Sequence, residues 1–191
     1  MAVEATSDTV PLVGLDGQAE AKPLQSERIV LEPLRVEHAD EMAPLLDDPT
    51  LHTFIGGEPQ TRGELRARYV RQVVGRSPDG LERWLNWIVR RQDSGAAVGF
   101  VQATLSEENG ELIADVAWVV ATAQQRSGYA REAAQLMTDW LRRQRVDLVV
   151  AHINPRHEAS KAVARSVGLT PAGTVVDGEV RWHGGGSRLK K

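Results

Sequence analysis

Along the chain, β-branched or alternating apolar runs and apolar residues at helical spacing succeed one another with clear punctuation. Arg28-Ile-Val-Leu-Glu-Pro33 predicts a strand stopped by its proline. Residues 36–46 place Ala39, Met42, Ala43 and Leu46 at helical spacing, disturbed by Pro44 and closed before Pro49. Residues 52–59, with their glycines and proline, predict a loop. Thr61 and Glu64 form a capping box for a second helix, whose inner stripe is Leu65, Tyr69 and Val73. Strands over 84–90 and 97–105 flank Gln92-Asp-Ser-Gly-Ala96, a hairpin signal, and a turn at 106–110 leads into a strand over 112–120. Trp84 and Trp87 fall on opposite faces of an ideal strand, which predicts burial on both sides. Pattern then disappears through 121–127 and returns as a helix from Gly128 to near Gln144. Its apolar face is Ala130, Ala133, Ala134, Met137, Trp140 and Leu141. A short strand over 147–153 and a helix over 156–166, with Gly168 past its end, follow. Two last strands, 169–176 and 179–183, meet at Asp177-Gly178, a type I′ hairpin signal.

The order is β, α, α, β, β, β, α, β, α, β, β. Antiparallel strands followed by crossover helices predict an α/β (α+β) domain with a mixed, mostly antiparallel central sheet and helices on both faces. The domain is expected over 26–183, between a flexible arm at 1–25 and a flexible basic tail at 184–191. The arm carries Glu4, Asp8, Asp16 and Glu20 against Lys22, a net charge of −3 that equals that of the whole chain. The body is thus near neutral and without interleaved aromatic and basic residues, which argues against nucleic acid as a partner.

No run of ~18 apolar residues is present to span a membrane, and no basic stretch leads into an apolar one as in a secretory signal. There is no cysteine, so disulfides, thiolate metal sites and a cysteine nucleophile are excluded. The cytoplasm is the simplest compartment on these grounds. The histidines show no metal-ligand spacing, and no metal is expected. Arg62, Arg66, Arg68, Arg71 and Arg76 project from the second helix. They read as a solvated face, or else as a basic rim for cofactor phosphates or an acidic substrate.

The chemistry concentrates where Val116, Trp118, Val119 and Val120 give way to a small polar loop and then to the helix from Gly128. A helix N-terminus has unpartnered N–H groups and the positive end of the macrodipole, and a glycine lets a phosphate come close. Many such junctions bind nothing, so the junction alone leaves ligand binding open. The loop reads Gln125-Arg-Ser-Gly128-Tyr-Ala130. It lacks the Gly-Lys-Ser/Thr ending of a P-loop and the three glycines of a dinucleotide fingerprint.

The same Q-x-x-G-x-A loop resembles the pyrophosphate loop of the GNAT superfamily of acyl-coenzyme A-dependent N-acetyltransferases. The preceding strand, with Asp115 near its start, is similar to the family's fourth strand. Leu31-Glu-Pro-Leu34 and Phe54-Ile-Gly-Gly57 resemble the RimJ/RimL branch, and the element order over roughly 27–182 is that of the family. The resemblance implies acetyl-coenzyme A as cosubstrate, with Gln125, Arg126, Ser127, Gly128, Tyr129 and Ala130 at its pyrophosphate. It implies that Trp118, Val119 and Val120 line the pantetheine arm and supply a backbone oxyanion donor. Asp115 stands where many relatives carry a catalytic Glu; being shorter, it would act through water. Asn154, His157 and Ser160 match the family's polar contacts on the other side of the arm. The family's acidic Tyr falls at Ala164, which leaves Ser160, His157 or bulk water to receive the thiolate. The implied activity is acetyl transfer to a primary amine by direct attack in a ternary complex. The acceptor is a protein N-terminus or a small amine such as an antibiotic, and room is left for a homodimer. The alternative is a catalytically degenerate acyl-coenzyme A-binding module.

Overall fold

The computed structural model describes residues 20–185. Most of the expected arm and tail therefore lies outside the described residues. Among the described residues the strands and α-helices follow in this order: β1 Leu24–Gln25, β2 Ile29–Pro33, α1 Ala39–Leu46, α2 Pro49–Ile55, α3 Arg62–Gln72, β3 Arg83–Arg91, β4 Ala97–Glu108, β5 Glu111–Val120, α4 Tyr129–Arg143, β6 Leu148–Ile153, α5 Glu158–Ser166, β7 Thr170–Val176 and β8 Glu179–Gly185. The strands form one sheet in the order β1-β2-β3-β4-β5-β6-β8-β7. Every neighbouring pair is antiparallel except β5 and β6. No helix among the described residues is long and apolar enough to cross a membrane.

Helices cover both faces. On one, Ala133, Ala134, Met137, Trp140 and Leu141 of α4 join Trp87, Val101, Ala103 and Val116 of the sheet, and Ala164 of α5 belongs to the same core. Trp87 meets Trp140 edge to face, with ring centroids 5.8 Å apart. On the other face, Ala39, Met42 and Ala43 of α1 and Leu65 and Tyr69 of α3 pack with Ile88 and Phe100. Thr61 and Glu64 close the expected capping box. Asp177 and Gly178 have φ of 49° and 81°, the left-handed pair that a type I′ turn requires.

Three sequence readings need correcting. Residues 52–55 are not loop but belong to α2, because the Asp48 carboxylate accepts the Thr50 N–H at 2.9 Å and Pro49 occupies the first turn. Leu24–Gln25, read as part of the arm, pairs with Val30 and Leu31 as β1. Nearby, Trp87 donates its indole N–H to the Lys22 carbonyl at 2.8 Å. At the other end β8 runs through Gly184 and Gly185, which were assigned to the tail.

A polar cluster ties β2, β3 and α1 together. Arg90 bonds both Glu32 and Glu41, and Glu32 also pairs with Arg35. Burial alone would raise the Glu32 pKa, but Arg90 and Arg35 hold it below the ordinary carboxylate range. That contribution to stability is present above the unfolded-state pKa and is lost as pH falls through the lower folded one. Arg90→Leu leaves Glu41 without its cation and Glu32 with Arg35 alone, and is expected to cost about 2–3 kcal/mol at neutral pH. Urea melts at pH 7 and near pH 3 check this: the deficit should shrink in acid, and an equal deficit at both would show a packing effect alone.

The pairing of β5 with β6 is short. Ile113, Ala114 and Asp115 oppose Leu148, Val149 and Val150, and no pairing follows. Antiparallel pairing of β5 with β4 continues to Gly99↔Val120. A Cβ built on Gly99 would lie 2.1 Å from the Val119 carbonyl oxygen, so only glycine permits this approach. Held by β4 on one side, β5 parts from β6 on the other, and a fork opens beyond Asp115.

Candidate active site

The Ala121 N–H bonds the Val98 carbonyl at 2.9 Å. In an antiparallel ladder such bonds fall on alternate residues, so Val119 also turns its peptide groups to β4, while Trp118 and Val120 direct theirs into the fork. The Val120 carbonyl accepts from Gln125 Nε2 at 3.2 Å. Of Trp118, Val119 and Val120, the first and last thus turn peptide groups toward the fork and Val119 turns its own toward β4. The Trp118 indole N–H donates to Ser160 Oγ at 3.3 Å, joining β5 to α5 beyond the other prong.

At the open end of the fork lies the N-terminus of α4. Gly128 is its N-cap, at φ 83°, and no side chain caps the helix. The N–H groups of Tyr129, Ala130 and Arg131 are left without intrahelical acceptors, an arrangement that suits an anion. Arg126 has φ 62°, so the loop turns sharply before Gly128. The Ser127 hydroxyl faces back to the Gln125 carbonyl at 3.5 Å. Sequence reading missed Arg28. Its guanidinium donates to Glu132 Oε2 at 2.8 Å and to the Ser127 carbonyl at 3.2 Å, and lies 5.3 Å from the Tyr129 ring centre. It neutralises the only acid in the first turn of α4, which would otherwise repel an anion there. A lone arginine ahead of a strand carries no signal for this role.

On the face shared with α1 and α3, a cleft of about 580 Å³ opens over Gln102, Thr104, Asp115, Ala117, His152 and Arg181, among others. The register explains the grouping, since Thr104 opposes Asp115, Asp115 opposes Val150, and His152 opposes Arg181. His152 Nδ1 donates to Asp115 Oδ2 at 3.1 Å, with the Asp115 side chain 49% exposed. The carboxylate is thus open to the cleft yet surrounded by its walls. Desolvation pushes its pKa up, and His152 and Arg181 oppose the rise without cancelling it. With Nδ1 donating to a carboxylate, the neutral imidazole keeps its lone pair on Nε2. Sequence reading gave His152 no role, because nothing but the β5–β6 register brings it to Asp115.

The start of α5 closes the other side. His157 Nδ1 accepts the Ser160 N–H at 2.8 Å, and burial pushes the imidazole pKa down. The ring is therefore neutral near pH 7 with its proton on Nε2. Asn154 caps its own turn, its Oδ1 accepting the Arg156 N–H at 3.0 Å. Ala164 is fully buried in the core. Helix α2 lies across the mouth: Phe54 meets His157 edge to face at 4.2 Å, and Thr50 Oγ1 is 3.4 Å from Thr122 Oγ1. Among the described residues no group of three or more His, Asp or Glu is placed to hold a metal ion.

A family model described as "Acetyltransferase (GNAT) domain" matches residues 28–170. A search of curated protein sequences found no match. Among solved structures, a GNAT-family acetyltransferase from Bacillus anthracis is 16% identical, with a TM-score of 0.70 and coverage of 87% of this chain and 100% of that one. The ribosomal L7/L12 α-N-protein acetyltransferase RimL, solved with coenzyme A, is 17% identical, with a TM-score of 0.71 and coverage of 86% and 98%. Spermidine N-acetyltransferase from Vibrio cholerae, solved with coenzyme A and spermine, is 17% identical, with a TM-score of 0.67 and coverage of 85% and 98%.

Proposed function

The chain belongs to the GNAT acetyltransferase family, and from that premise we propose that it moves an acetyl group from acetyl-coenzyme A to a primary amine by direct attack in a ternary complex. One observation carries the reading. The parallel pairing of β5 and β6 stops at Asp115, which puts unpaired peptide groups, an uncapped helix N-terminus and an Asp–His pair around one opening. Acyl transfer to an amine needs these parts: an anchor for the donor, fixed N–H groups for the developing oxyanion, and a proton acceptor for the amine.

On this reading the N–H groups of Tyr129, Ala130 and Arg131 hold the pyrophosphate, and Arg28 keeps Glu132 from repelling it. The peptide groups of Trp118 and the N–H of Val120 pair with the pantetheine arm, and one of these N–H groups faces the thioester oxygen. The acceptor amine enters from the cleft over Asp115. Its nitrogen bonds to the acetyl carbon as the C–S bond breaks. His152 Nε2 takes the amine proton, while Asp115 fixes the imidazole tautomer and stabilises the cation that forms. On the thiolate side stand the Ser160 hydroxyl and the His157 Nε2–H, either of which can donate a hydrogen bond to the departing sulfur.

The second reading, a degenerate acyl-coenzyme A-binding module, draws its support from Ala164, a core residue at the position of the family's acidic Tyr. A panel of N-terminal peptides, polyamines and aminoglycosides, assayed by release of free coenzyme A thiol, separates the two. At least one acceptor should release thiol above the rate of thioester hydrolysis. Failure of the entire panel, with acetyl-coenzyme A binding intact by calorimetry, would favour the binding module.

A further inference from the structure

We propose that the acceptor is a peptide N-terminus bearing acidic residues near its amine, its carboxylates taken by Arg68 and Arg71 of α3. This rests on the acetyl-transfer reading of the cleft. A recess of about 210 Å³ is lined by Arg68, Arg71, Gln72, Trp84, Asn86 and Gln102, with Ala103 and Thr104. Gln102 and Thr104 also line the cleft over Asp115, so the two spaces adjoin. One side of the combined groove offers Glu108 and Asp115, with Arg181 beside them, as a setting for an amine, and Glu82 accepts the Trp84 indole N–H at 2.9 Å between the two spaces. The other offers two guanidinium groups beside an indole.

The arginines are available. Arg62 on the same helix is engaged by Asp40 at 2.6 Å, and Arg28, Arg35, Arg90, Arg91 and Arg142 each have a carboxylate partner. Arg71 has no side-chain partner among the described residues, and Arg68 reaches only the Gln60 amide oxygen, at 3.4 Å. Arg71 is exposed and Arg68 half-buried, so both can reach an anion that enters the recess. Their planar forks suit carboxylates.

Register sets the spacing. Trp84 opposes Thr104 and Thr104 opposes Asp115, so the recess and the amine end are two strands apart, or about 10 Å. An extended peptide advances about 3.3 Å per residue. A carboxylate on the third or fourth residue therefore reaches the arginines while the α-amine sits at Asp115 and His152. The carboxylate of a free amino acid falls short, and a polyamine would set like charge against like.

The test compares C-terminally amidated Ser-Ala-Glu-Glu, Ser-Ala-Gln-Gln and Ser-Ala-Lys-Lys peptides, with free glutamate and spermidine, by kcat/KM on the full chain and by calorimetric peptide binding. The acidic peptide should exceed the neutral one by about tenfold, with an advantage that shrinks in salt. In the Arg68→Glu/Arg71→Glu double variant the ratio should fall to one or below. Arg66→Glu, a charge reversal on the same helix but outside the recess, should leave the ratio unchanged. Equal turnover of acidic and basic peptides, a preference for spermidine or free glutamate, or an unchanged ratio in the double variant overturns the proposal while acetyl transfer stands. Arginine-dependent binding of the acidic peptide without turnover supports the recess and counts against acetyl transfer. Neither binding nor turnover of the acidic peptide overturns the proposal.

Discussion

Asp115→Asn is expected to lower kcat by about 10²–10⁴-fold, the range lost with a general base, while leaving the affinity for acetyl-coenzyme A nearly unchanged. The carboxylate accepts from His152 Nδ1 at 3.1 Å. An amide can present its NH₂ group there instead, which favours the other tautomer and removes the lone pair from Nε2. His152→Gln should lose a similar factor, and the double variant little more than either single one, because groups that act as a unit are not additive. If His152→Gln keeps most of the activity while Asp115→Asn does not, the proton goes to the carboxylate through water. Both variants within a few-fold of wild type at every pH would leave the pair without a catalytic role.

The pH dependence has a definite sign. Because burial raises the Asp115 pKa, the acid limb of the wild-type profile that reports this carboxylate should lie above the ordinary aspartate range. An acid whose folded pKa is raised favours folding at low pH, and that benefit is lost as pH rises through the folded value. At neutral pH the ionised carboxylate thus burdens the fold, and Asp115→Asn should melt no lower than wild type except for the lost histidine contact. Lost activity without lost stability is the signature that a merely structural residue would not give.

The second large effect is expected at Gly128. Gly128→Glu should weaken acetyl-coenzyme A binding by at least about 10²-fold, since losing two or more charge-assisted hydrogen bonds at about 1.5–3 kcal/mol each has that consequence. The new side chain brings bulk and negative charge to the N–H groups of Tyr129, Ala130 and Arg131. It must also adopt φ near 83°, a conformation that costs a non-glycine residue about 1–2 kcal/mol. Gly128→Ala is the milder control: its Cβ would meet the far end of Arg28 at 3.3 Å, which a flexible side chain can relieve. Calorimetry and the ligand-induced rise in Tm report both. Unchanged affinity in Gly128→Glu would remove the loop from the cofactor site.

Much of this was legible locally. The capping box of α3, the Asp177-Gly178 turn and the strand–loop–helix junction at Gly128 each depend on residues a few positions apart, so the chain states them directly. Helix α2 is equally local, but its Asp48-Pro49 start competes with the loop signal of Gly56 and Gly57 just after it. The remainder is a matter of register. That β5 and β6 pair over three residues and no further follows from packing of the whole sheet, and so does the meeting of Asp115 with His152. Ser160 meets Trp118 across 42 positions and Arg28 meets Glu132 across 104, distances over which no pattern in the sequence speaks.

The fork has a further consequence for a molecule that must survive among other chains. Beyond Asp115, β5 is an exposed edge in the middle of a sheet, and such edges invite foreign strands and aggregation. Usual safeguards, a proline or an edge lysine, would spoil the opening for a ligand. Here an incoming strand would have to desolvate the Asp115 carboxylate at the root, displace the Trp118 indole from Ser160, and part α2 from Thr122 and His157 at the mouth. The groups proposed to do chemistry also make the edge inhospitable to anything thicker than a narrow, flexible ligand.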